Sequence, residues 1–123
     1  MRDRRGRGIR GPLLPSYLPA FHSRREQFDI QVAEAVAHLV GHVPELVHTP
    51  VAVMEIPDQF VGADRVPLGS VDRTTLPPRV VLYRAPLMQR GGSEALTRDV
   101  LAELAADVLA RQPEQIDPHY PRA

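Results

Sequence analysis

Three groups of residues carry the chemistry this chain could do. His38 and His42 stand four apart (H-L-V-G-H), a spacing that sets two imidazoles on one helical face and suits two metal ligands, with Glu45 the nearest acid. The same spacing suits two ordinary histidines at a helix C-terminus, where a cation meets the negative end of the dipole. Asp99, Glu103 and Asp107 also recur at intervals of four. Like charges at i,i+4 cost a helix a few tenths of a kcal/mol each, so this spacing does not serve helix stability. Third, seven arginines (2, 4, 5, 7, 10, 24, 25) crowd the first 25 residues against Asp3 alone. Such an arm can touch nucleic acid or another acidic surface, or lie solvated against an acidic body. Gly91-Gly92-Ser93 could receive an anion at a helix N-terminus but is also a common helix entry.

Composition narrows the field. The chain has 123 residues, 15 basic and 15 acidic, and no cysteine. Its length suits one domain. Disulfides, thiolate metal sites and a cysteine nucleophile are excluded. No apolar run reaches the roughly 18–20 residues of a membrane span, so the expectation is a soluble, cytoplasmic protein with no membrane partner. The formal charge of zero divides unevenly: residues 1–25 carry a net +6, and residues 26–123, with eight Arg against fourteen acids, a net −6. All basic residues are Arg, and Lys and Asn are absent, which fits the codons of a GC-rich genome. No G-x-S-x-G, phosphate-cradling loop or dinucleotide fingerprint is present.

The elements that must position these residues follow from periodicity. Residues 1–20, rich in Arg, Gly and Pro, read as a disordered or extended leader whose Leu13-Leu14 and Tyr17-Leu18 dock on the domain. Residues 21–118 form the domain and 119–123 a tail. Ser23 to Glu26 has capping-box spacing, and Phe28, Val32, Ala35, Val36 and Leu39 continue at helical intervals until Gly41 and Pro44. Thr49 to Ile56 reads as a strand, Arg65 to Gly69 as a short edge strand, and Arg79 to Tyr83 as a strand ended by Pro86. Ser93 caps a last helix running to about Arg111, with Leu101, Leu104, Ala105 and Val108 as its apolar face. Ala95, Ala102, Ala106 and Ala110 form a small-residue stripe beside Asp99 and Glu103, either a partner groove or the product of alanine's helix preference. The sum is a small α+β domain.

Val66-Pro67-Leu68, then Leu76-Pro77-Pro78-Arg79-Val80-Val81-Leu82-Tyr83-Arg84-Ala85-Pro86-Leu87, then the last helix, resemble the small zincin-like metallopeptidase family over residues 24–118. The resemblance implies a minimal zincin-like α+β fold: a small mixed sheet packed by an N-terminal helix and a C-terminal former active-site helix. In the family that helix carries H-E-x-x-H, two histidines hold zinc, and the glutamate is general base on a zinc-bound water whose pKa falls to about 7.

The chain departs from the family at that point. The aligned segment is Ala102-Glu103-Leu104-Ala105-Ala106. Both histidine positions are alanine, and the third ligand falls at Gln112, a poor zinc donor. Only Glu103, at the general-base position, persists, and one carboxylate does not supply the roughly 8–23 kcal/mol of barrier lowering that enzymes provide. The expectation is a pseudo-metallopeptidase without zinc. It would act as a binding or regulatory module, with the cleft between strand 79–84 and helix 93–111 taking an extended peptide or protein segment by β-addition. The alternatives are a residual metal-dependent peptidase using His38 and His42 with Glu103 as base, and nucleic-acid binding through the Arg-rich leader.

Overall fold

The computed structural model describes residues 24–60, 62 and 64–123. The basic leader, its apolar docking segment and the Ser23 cap lie outside them. The described chain is a small mixed α+β domain. Its elements are α1 (Arg24–His42), β1 (Val51–Met54), β2 (Gly69–Asp72), β3 (Arg79–Tyr83), α2 (Arg84–Gln89), α3 (Glu94–Leu109) and α4 (Pro113–Ile116). Two 3-10 turns, Pro44–His48 and Asp58–Phe60, link them.

The first helix forms where its periodicity predicts. Phe28, Val32, Ala35 and Leu39 are its buried stripe. They join Val80 and Leu82 of β3, Leu87 of α2, and Leu101 and Ala105 of α3 in one core. Full burial of a leucine contributes about 1.5–3 kcal/mol, and Leu82 and Leu87 are wholly enclosed.

The sheet has the order β1-β3-β2. β1 runs parallel to β3, with Val51 opposite Val80 and Val53 opposite Leu82. β2 runs antiparallel to β3, with Ser70 opposite Val81 and Asp72 opposite Arg79. Alternation along β3 sends Val80 and Leu82 to the helices and Val81 and Tyr83 to the opposite face. There the Tyr83 hydroxyl shares a 2.7 Å hydrogen bond with Ser70 Oγ, and its ring lies 6.4 Å from that of Phe60.

One local expectation is corrected. The edge strand is Gly69–Asp72 rather than Arg65–Gly69. Pro67 has no N–H, and pairing starts only where the Leu68 carbonyl accepts from the Tyr83 N–H at 3.0 Å. Strand β3 ends at Tyr83 as its wording predicts, and Pro86 sits in the first turn of α2, where a missing N–H costs no helical bond. Gly69 is required by contact, since a Cβ there would meet the Val81 carbonyl at 2.6 Å and Leu104 Cδ1 at 2.8 Å.

The last helix begins on its predicted cap, with Ser93 Oγ accepting from the Leu96 N–H. It stops at Leu109. Ala110 adopts φ 55° and ψ 47°, the left-handed closing conformation that usually falls to glycine. The Arg111 N–H reaches back to the Ala106 carbonyl at 2.9 Å. No helix is long and apolar enough to cross a membrane among the described residues.

Candidate functional site

Helix α3 puts Ala102, Glu103 and Ala106 in two different surroundings. Ala102 and Ala106 are buried, at 0% and 2% exposure, inside the same core as Ile116 of α4. They do not line an open groove. Both α1 and α4 pack on α3, and these small side chains fill the packed interior. The buried set of α3 also includes Thr97 and Val100, so its apolar surface is broader than the stripe Leu101, Leu104, Ala105 and Val108. Thr97 is fully enclosed yet satisfied: its hydroxyl donates to the Ser93 carbonyl and accepts from Gln31 Nε2, each at 3.0 Å.

Glu103 is exposed, and its Oε2 accepts a 2.5 Å hydrogen bond from the Tyr120 hydroxyl. That bond, with desolvation and the surrounding carboxylates, pushes the Tyr120 hydroxyl up to about 12. The other two acids of the repeat are also engaged. Asp107 pairs with Arg73 in the β2–β3 turn at 3.1 Å. Asp99 is buried and accepts three backbone bonds: the Arg122 N–H on Oδ1 and Oδ2 at 2.8 and 3.0 Å, and the Ala123 N–H at 2.8 Å.

Residues 117–123 therefore form a strap along the flank of α3, not a loose tail. Its base is Asp117, wholly enclosed, on which the Arg122 guanidinium forks through Nε at 2.7 Å and Nη2 at 3.0 Å. The Arg122 fork holds the Asp117 carboxyl below its ordinary value, and the His119 N–H adds to it. Sequence reasoning missed the strap. The one signal for it was the costly spacing of Asp99, Glu103 and Asp107, whose compensation had to come from outside the helix.

The family's zinc does not fit the residues present. Alanine methyl groups in the core offer no donor at either histidine position, and Gln112 is exposed, with its backbone N–H bound to Gln115 Oε1 as α4 begins. His38 and His42 do meet, with ring centroids 4.7 Å apart. His38 Nε2 is buried without a hydrogen-bond partner among the described residues. Burial pushes its imidazole down, and Arg98, His42 and Arg122 push the same way. Glu45, the acid nearest in sequence, is bound by Arg111 at 2.7 Å. No group of three or more His, Asp or Glu able to hold a metal ion occurs among the described residues.

Arg84 pairs with Asp29 of α1 at 2.7 Å and Glu55 after β1 at 2.6 Å. It is buried and ties three elements together. The strand facing the α3 cleft, β3, is central and paired on both sides, so it has no edge to offer a peptide. Among the described residues, the edge on that side belongs to β2. Because Leu68 bonds to Tyr83, the β3-facing bonds fall to Ser70 and Asp72, and the backbone groups of Gly69 and Val71 point outward. Leu104 and Asp107 of α3 border this strand.

No family model, no curated protein and no solved structure matches the chain.

Proposed function

We propose that this chain is a pseudo-metallopeptidase, a zincin-like domain with AExxA in place of HExxH, that holds an extended peptide or protein segment without cleaving it. The observation that carries the reading is the fate of the aligned helix. Its two zinc-ligand positions are alanines enclosed in the core, and its general-base position, Glu103, is hydrogen-bonded to Tyr120. An antiparallel edge strand beside that helix supports the binding half of the reading. Among the described residues, the N–H and C=O groups of Gly69 and Val71 of β2 have no strand partner, the requirement for β-addition. The alternative of a metal-dependent peptidase draws on the buried Nε2 of His38, which has no hydrogen-bond partner among the described residues. The nucleic-acid alternative rests on the leader, outside the described residues.

The test is selection of binding decapeptides from a random library, followed by titration against the Val71→Pro variant. Proline there removes an outward N–H while Ser70 and Asp72 keep the β2–β3 bonds. The expected result is at least tenfold weaker binding to the variant, with the peptide recovered intact. Cleaved peptide, or affinity indifferent to Val71→Pro, contradicts the proposal.

A further inference from the structure

Beyond its base at Asp117, the strap (residues 118–123) is held mainly by polar bonds. Pro118, His119, Pro121 and Ala123 are exposed, and only Tyr120 packs against the core. A segment with so little apolar burial opens at a lower free energy than the domain unfolds. Its anchors, by contrast, are demanding. When the strap leaves, buried Asp99 loses three N–H bonds and enclosed Asp117 loses its forked guanidinium. The vacated flank keeps Asp99, Glu103 and Asp117 placed to accept backbone N–H groups, a hydroxyl and a guanidinium, so a segment carrying the same donors can take the strap's place.

We infer that this strap is autoinhibitory: it fills in cis a recognition site on α3 that takes, in trans, a partner segment with a tyrosine followed two residues on by an arginine. The strap itself defines the ligand's chemistry. An aromatic hydroxyl lies on Glu103, backbone N–H groups lie on Asp99, and a guanidinium forks on Asp117. The site lies on the strap side of α3 and does not use the β2 edge, so the inference stands apart from the zincin-like reading.

The test uses the full chain and a fluorescent peptide, Pro-His-Tyr-Pro-Arg-Ala. With a Tyr120→Ala/Arg122→Ala double variant the peptide should bind saturably, at least tenfold more tightly than to the unaltered chain. Adding Asp99→Asn, or replacing the peptide's arginine by alanine, should remove the binding. Equal affinity for the double variant and the unaltered chain overturns the inference, as does no binding to either. Hydrogen exchange on the unaltered chain gives a second test that does not depend on a variant folding. The Arg122 and Ala123 amides should exchange at least tenfold faster than core amides of α1 and α3. Exchange at the core rate makes the strap an inseparable part of the fold and overturns the inference as well.

Discussion

The Tyr120 hydroxyl donates a 2.5 Å hydrogen bond to Glu103 Oε2, so Glu103 is bound by the chain's own strap. A carboxylate engaged in this way is placed to position a neighbouring segment. The bond also leaves a mark on titration that can be read directly.

Tyr120 should ionise near 12 instead of its ordinary 10. A hydroxyl raised in the folded state releases its proton more readily on unfolding. Its stabilising contribution is therefore fully present below pH 10 and disappears as pH climbs through 12. Ultraviolet titration of tyrosinate should show this late step, absent in Tyr120→Phe and shifted back toward 10 in Glu103→Gln. A Glu103→Gln profile identical to the unaltered one would show that the bond does not persist in solution.

Asp117 sets the opposite limb. Its carboxyl is held below the ordinary 3.8, chiefly by the Arg122 fork. A depressed carboxylate contributes stability above its unfolded value, and that contribution is lost as pH falls through the lower folded value. Urea melts at descending pH should show stability dropping below about pH 4, with Asp117→Asn flattening that limb. Because the group is enclosed and charge-paired, Asp117→Asn should cost about 1–3 kcal/mol near neutral pH.

Ala102→His and Ala106→His test whether the histidine positions are latent ligand sites or core. Both methyl groups are enclosed. An imidazole there overfills a packed interior, costing about 1–3 kcal/mol from crowding alone, with more for any unsatisfied ring nitrogen. Each single variant should lower the urea midpoint, and the double variant should lose more and gain nothing from zinc. Recovery of stability on adding zinc to the double variant would mean that the helix can still turn this face to a metal.

The sequence and the fold agree where local chemistry decides. Helix α1 follows from the spacing of Phe28, Val32, Ala35 and Leu39, strand β3 from a β-branched run, and the start of α3 from Ser93. They diverge where distant pairing decides. The place of β2 depends on which residue first meets Tyr83, a register that the V-P-L wording does not contain. The direction of Ala102 and Ala106 was hidden because α3 is packed by the sheet, α1 and α4, which leaves no single apolar face to read. The strap was hidden because its bonds join polar residues across long separations, such as Asp99 to Arg122, and no periodicity marks them.

If the proposed function holds, the chain takes up no zinc, neither at Ala102 and Ala106 nor at the His38–His42 pair. Dialysis of the full chain against excess zinc, followed by elemental analysis, tests it most directly. Zinc should stay well below one equivalent per chain, unchanged by His38→Ala. One equivalent of zinc per chain, lost on His38→Ala, would contradict it.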